Sequence, residues 1–138
     1  MARRSELKIA CVILYRVKMN LKTPFITSYG QMTEKEFFVI EVQNEDGLSG
    51  WGETAAFSSP WYTEETVKTN EHILQDFLIP LLLERPLNHP EELMNKFSRV
   101  RGNHMAKAGL EGAVWDLYAK QQQMPLYKVL GGEKKTIE

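Results

Sequence analysis

From Ile9 to Leu21 the odd positions read Ile, Cys, Ile, Tyr, Val, Met and Leu, while Arg16, Lys18 and Asn20 interrupt the even ones. Alternation of that length predicts a β-strand with one buried face, its first half covered on both sides where Val12 and Leu14 join in. Pro24 has no N–H for a ladder and restrains Thr23, so the strand is expected to stop at KTPF. ITSYGQMTEK then reads as a loop. FFVIEVQN, rich in β-branched and aromatic residues, predicts a second strand. NEDG supplies a tight turn, with Asp46-Gly47 suited to positive φ. LSGWGE is a short third strand whose glycines imply that a backbone or a ligand comes close. Three successive strands with short returns make an antiparallel meander.

Beyond Tyr62 the period becomes helical. Thr63 is placed to cap a helix with Glu64 and Glu65 in its first turn, where negative charge meets the positive end of the dipole. Val67, Leu74, Phe77 and Leu78 form its apolar stripe, and Pro80 ends or kinks it. Asn88 or His89, followed by Pro90, opens a second helix carrying Leu93, Met94, Phe97 and Val100. Gly102 stops that helix, and Asn103 caps a third, HMAKAGLEGAVWDLYAKQQQ. A short turn, PLYKVLGG, leads to KKTIE. The order predicts an α+β fold, a three-stranded antiparallel meander followed by three main α-helices. The third helix spaces small residues four apart, Ala108 with Gly112 and Gly109 with Ala113. Glycine inside a helix costs about 1 kcal/mol against alanine, and close approach of another backbone would offset that. With Leu110, Val114 and Leu117 on a bulky side, this helix reads as one packed between two neighbours.

The 138 residues suffice for one core, and 43% hydrophobic with 25% charged content is ordinary for a globular domain. A net charge of −1 gives no electrostatic footprint for nucleic acid. No apolar run approaches the roughly 18 residues of a membrane span. Cys11 is the single cysteine; it reads as a buried thiol in a reducing compartment, with the cytoplasm as the expected location. The three histidines show no metal-ligand spacing. His72 with Asp76 reads as a surface pair, His89 as a helix cap, and His104 as a first-turn residue. Asp116 and Lys120 form a structural i, i+4 pair. Glu53, at the end of the third strand, divides evenly between anchoring a loop and site chemistry. Nothing forms a nucleophile, base and orienting group, so spacing alone gives no catalytic apparatus.

Two loops remain. Pro24 to Gly30 follows the first strand and Thr54 to Tyr62 follows the third, which runs parallel to the first. They therefore leave the same end of the meander and together offer Phe25, Tyr29, Phe57, Trp61 and Tyr62. An aromatic wall with a few hydroxyls is what small-molecule sites use, and packing beneath the loops is the equal alternative.

PFITSYG, GWGETAAFSSPWY, MAKAGLEGAVWDLYAK and PLYKVLGG, in this order and spacing, resemble the N-terminal capping domain of the enolase superfamily. Within it the likeness is to the o-succinylbenzoate synthase and N-acylamino acid racemase group, and it runs from Lys8 to Gly132. The resemblance implies a capping domain at residues 8–132 and the beginning of a link into a (β/α)₈ barrel at 133–138, while the basic start at 1–7 reads as a tag or disordered segment. The barrel, which takes roughly 250 residues, would supply the lysines that move the α-proton and the carboxylates that hold Mg²⁺. This chain would hold no catalytic residue and no metal ligand. What carries over is the lid: Phe25, Ile26, Ser28 and Tyr29 on the first loop, Phe57, Pro60, Trp61 and Tyr62 on the second. The resemblance assigns these to the succinyl or acyl part of a small carboxylate substrate and to excluding water. Relatives often have a small residue where Thr54 stands and methionine where Phe57 stands, which bears on pocket size and preferred substrate.

The implied activity is a Mg²⁺-dependent lyase of menaquinone synthesis, dehydrating a cyclohexadiene carboxylate to o-succinylbenzoate. N-acylamino acid racemisation is the alternative within the same chemistry, and a free-standing binding module the alternative outside it. The chain's partners would be the substrate and its own barrel, with no nucleic acid and no membrane. Alone, it is expected to be inactive and to self-associate.

Overall fold

The computed structural model describes residues 6–138. It contains a three-stranded antiparallel sheet in the order β1-β2-β3, with β1 at Ile9–Thr27, β2 at Gly30–Asn44 and β3 at Ser49–Glu53. Helices follow: α1 at Val67–Ile73, a π-helical turn at Leu74–Leu78, α2 at Ile79–Leu83, α3 at Glu92–Phe97, α4 at His104–Gln121 and a short α5 at Leu126–Val129. The meander and the three main helical stretches are those the sequence predicts. Residues 1–5 of the expected disordered start lie outside the described residues. Leu7 is fully buried and pairs with Leu87 through both backbone hydrogen bonds.

The strand does not stop at Pro24. β1 runs on to Thr27, and the segment read as a loop is the far end of a long hairpin whose two-residue turn is Ser28-Tyr29. Pro24 is tolerated because β1 is an edge strand and because the ladder is already broken there. Asn20 faces Glu34 and the next pair is Phe25 with Met32, which leaves three extra residues on β1. The face assignment also changes. An irregularity between Ile9 and Cys11 moves Ile9 onto the side of Val12 and Leu14, and this side packs on the helices. It meets the buried Phe38, Ile40 and Val42 of β2. The odd residues Ile13, Tyr15, Val17 and Met19 lie on the opposite, more open face, where Cys11 is only half-buried. Alternation reveals two faces but not which one the helices will cover.

The core is the layer between the sheet's inner face and the helices: Ile40 and Val42 against Leu74, Leu78, Leu110, Val114 and Leu117. Helix α4 crosses β3 at backbone contact, because Gly50 and Gly52 present no side chain there. The first helix starts at Val67, not after Thr63. Its cap is Thr66, whose hydroxyl accepts from Thr69 N–H while the Thr69 hydroxyl accepts from Thr66 N–H. Pro80 does not end it. The π-helical turn carries the chain past the missing N–H, with Ile79 N–H donating to the Leu74 carbonyl, and α2 continues to Leu83. That wider turn also rotates Phe77 out to solvent, and Met94 on α3 is 81% exposed.

Candidate functional site

The tip of the β1–β2 hairpin and the segment after β3 enclose a cleft of about 730 Å³. Phe25 and Tyr29 line it from the hairpin, and Phe57, Trp61 and Tyr62 from the segment between β3 and α1. The ring of Tyr62 meets Tyr29 edge-on at 6.5 Å and Phe57 edge-on at 6.0 Å, so Tyr62 bridges the two walls. These rings are not packed beneath their own loops; Trp61 remains 69% exposed. Ile26, Ser28 and Pro60, also expected at the site, do not line the cleft. Ile26 alternates away from Phe25 along the strand and is 76% exposed. Thr27, Gln31, Met32, Thr33, Ser58 and Ser59 line it without having been singled out. The part of Thr27, Gln31, Met32 and Thr33 follows from the hairpin continuing beyond Pro24, with Gly30 at φ 143° as the turn signal in the sequence, while Ser58 and Ser59 belong to the segment after β3.

The lining is aromatic and hydroxyl-bearing. Its carboxylate, Glu34, is paired with Lys18 at 3.2 Å on the outer hairpin. Such a surface can hold an apolar body and hydrogen-bond a polar end. Glu53 is not at the cleft: it is exposed and 3.5 Å from Lys35, whose ammonium also lies 4.4 Å above the Phe37 ring. Thr54 is buried elsewhere. Its hydroxyl accepts from Phe38 N–H at 3.1 Å and its methyl group packs beside Gly109, so Thr54 falls outside the cleft lining.

The second wall is held by three sets of bonds. At its start, Thr54 N–H donates to the Phe38 carbonyl. At its base, Val67 N–H donates to the Phe57 carbonyl at 3.0 Å, closing residues 57–66 into a compact loop. At its far end Glu65, 3% exposed, accepts from the backbone N–H groups of Met105 at 2.9 Å and Ala106 at 3.1 Å, and from the Asn70 side chain at 3.1 Å. A carboxylate at this place satisfies first-turn donors of α4 and sits at its positive dipole end. Asn103 stands at the N-cap of α4 as expected, but its side chain turns to the Arg101 carbonyl, and the side-chain acceptor for the first turn is Glu65. Inside the loop, Thr63 donates to Glu64 and accepts from Glu65 N–H. Glu64's own backbone N–H, then the Thr63 hydroxyl, hold the Glu64 carboxyl below its ordinary range.

The histidines fall where spacing puts them. His72 and Asp76 pair at 3.0 Å on the surface, His89 Nδ1 accepts from Glu91 N–H, and His104 opens α4. Among the described residues no group of three or more His, Cys, Asp or Glu side chains could hold a metal ion, and no helix is long and apolar enough to cross a membrane.

Residues 9–131 match the family described as mandelate racemase / muconate lactonizing enzyme, N-terminal domain. The chain is 59% identical over 132 residues to the o-succinylbenzoate synthase of Geobacillus stearothermophilus, covering 96% of this chain and 35% of that protein. It is 38% identical to the N-succinylamino acid racemase of Thermus thermophilus, covering 96% and 36%. The crystal structure of an enolase superfamily member from Listeria innocua superposes with a TM-score of 0.88 at 42% identity, over 96% of this chain and 35% of that one. The chain thus spans about a third of the length of the relatives it matches. Matches that extend over nearly the whole chain, in sequence and in backbone, place this chain in the mandelate racemase / muconate lactonizing enzyme N-terminal domain family of the enolase superfamily.

Proposed function

We propose that this chain is the substrate-capping domain of a Mg²⁺-dependent o-succinylbenzoate synthase in menaquinone synthesis. The observation that carries the reading is the cleft, where Phe25, Tyr29, Phe57, Trp61 and Tyr62 converge from two segments that leave one end of the sheet. The relative at 59% identity is named for that activity, which favours dehydration over racemisation. In the proposed reaction a proton leaves the carbon α to a carboxylate, and the hydroxyl group departs as water. Mg²⁺ finds no fitting ligand set among the described residues. The reading therefore assigns the ion and the proton-transferring lysines to a barrel that follows this domain. This domain's own work is to seat the apolar and succinyl parts of the substrate and to keep water out. Rings fixed before binding reduce the ordering cost of holding the substrate.

A second reading, N-succinylamino acid racemase, is favoured by the 38% identical relative. It begins with the same proton removal and returns the proton to the opposite face. Assaying the protein encoded through and beyond codon 138 with both substrates separates the two. We expect an in-frame barrel and a higher kcat/KM for dehydration. Higher efficiency for racemisation would select the second reading, and a stop codon after Glu138 would leave a free-standing binding module.

A further inference from the structure

Glu65 is a buried carboxylate that no step of the proposed chemistry uses. It lies three residues beyond Tyr62 and next to Thr66, which pairs with Phe57 at the base of the loop. Its two oxygens divide their partners: Oε2 accepts from Met105 N–H, while Oε1 accepts from Ala106 N–H and from Asn70. Asn70 is fully buried, and its side-chain Oδ1 has no hydrogen-bond partner among the described residues. A buried amide left half-satisfied is unfavourable, so the arrangement makes sense if the donation to Glu65 is what Asn70 provides. The backbone N–H of Glu65 in turn donates to Thr63, the residue that adjoins Tyr62.

We propose that Glu65 is a positioning residue for the cleft, fixing the Phe57–Tyr62 wall to the N-terminus of α4; this rests on the cleft being the substrate site. Neither Phe57 nor Tyr62 is held by side-chain hydrogen bonds of its own among those described. Their placement depends on the loop's backbone, and the loop's far end is set by where Glu65 docks. The short path from carboxylate to ring, through Glu65 N–H, Thr63 and Tyr62, couples any shift of the start of α4 to the wall. The aromatic cluster of the second segment would then be in register with the hairpin only while the carboxylate is seated. Both oxygens must accept for the clamp to hold. Glutamine offers one accepting oxygen and an NH₂ group that faces an amide N–H, so Glu65→Gln loosens the clamp without removing volume.

The test is backbone hydrogen exchange and ring NMR on this chain carrying Glu65→Gln, with Asn70→Ala as the milder variant. In Glu65→Gln we expect the amides of Met105, Ala106 and Val67 to exchange about tenfold faster or more. The contact between the Tyr29 and Tyr62 rings should be lost, with the amides of Ile40 and Val42 unchanged. Asn70→Ala should move the same amides in the same direction by a smaller factor, which keeps the test open if Glu65→Gln does not fold. A Tyr62 ring and loop amides unchanged in the folded variants would overturn the proposal. So would uniform acceleration that includes Ile40 and Val42, because that marks a general stabiliser. In the barrel-bearing protein the same variants report separately on the cleft. A released loop with unchanged KM and kcat would leave the clamp standing and remove the substrate assignment.

Discussion

A methyl group added to Gly50 would sit 2.1 Å from the Ala113 carbonyl oxygen, and one on Gly52 would sit 2.2 Å from that of Gly109. Both are backbone contacts that cannot turn aside, so either substitution must push α4 off β3. Gly50→Ala should cost about 3 kcal/mol or more, read as a fall in the denaturation midpoint. Gly112 is the opposite case, with open space where its Cβ would be. Gly112→Ala should stabilise this chain by about 0.5–1 kcal/mol through helix propensity alone. The sequence shows two small pairs on α4, but spacing could not say that Gly109–Ala113 faces the sheet and Ala108–Gly112 faces out.

Glu41, 7% exposed on the open face, accepts from Ser49 at 2.5 Å, Gln43 at 2.8 Å and Tyr15 at 2.7 Å. These hydrogen bonds, that from Ser49 foremost, lower its pKa, and the bond to Glu41 raises that of Tyr15. For Glu41 the stabilisation is complete above the ordinary carboxylate range and is lost as pH falls through its lowered value. For Tyr15 it is complete below the ordinary phenol range and is lost as pH rises through its raised value. The melting-temperature gap between the parent chain and Glu41→Gln should therefore be widest near neutrality and close towards low pH. A gap that does not change between pH 7 and 3 would contradict this.

At the scale of elements, β3 is an edge strand whose outward groups are covered by α4. Trp51 N–H donates to Asp116 at 2.8 Å, and Lys120 donates to the Ser49 carbonyl at 2.8 Å while pairing with Asp116 at 2.9 Å. The i, i+4 pair visible in the sequence is thus a cover for a strand edge, which an edge needs if it is not to recruit another chain. Asp116→Ala should cost about 0.5–1.5 kcal/mol, the net worth of a solvent-accessible hydrogen bond to the strand N–H, measurable by denaturant titration. Strand and helix order were legible because their periods are strong. The ends were not. Pro24 reads as a stop only if β1 is central, and Pro80 only if no π-helical turn absorbs it. The start of α1 at Val67 was hidden because Thr63 and Thr66 are both good caps. What decides between them is Glu65 bonding to α4 40 residues away, which no local pattern contains. The same long-range bond supplies the side-chain acceptor that Asn103, at the N-cap of α4, does not.

For the whole molecule, the two walls of the cleft were legible as neighbours from strand direction alone, and five of their aromatic residues do converge. Ile26, Ser28 and Pro60 belong to the same motifs but lie outside the lining. Alternation along the extended hairpin, which a loop reading of the sequence does not contain, turns Ile26 away. Tyr127 and Leu130 near the end of the chain are exposed, as are Ala108 and Gly112 on α4. Large exposed apolar patches favour association. Sedimentation of this chain should show concentration-dependent self-association, and a clean monomer at high concentration would count against an apolar docking face.

The central claim is that Phe57 and Tyr62 act on substrate. Its most direct test is the kinetics of Phe57→Ala and Tyr62→Ala in the barrel-bearing protein, alongside their melting temperatures. Losing one buried aromatic contact should lower kcat/KM for dehydration by about 10- to 200-fold, equivalent to about 1–3 kcal/mol, while exchange of the α-proton with solvent persists. Phe57→Ala should also change the ratio of dehydration to racemisation. Two folded variants with unchanged kcat/KM for both substrates would contradict the account and reduce the cleft to a packing feature of the lid.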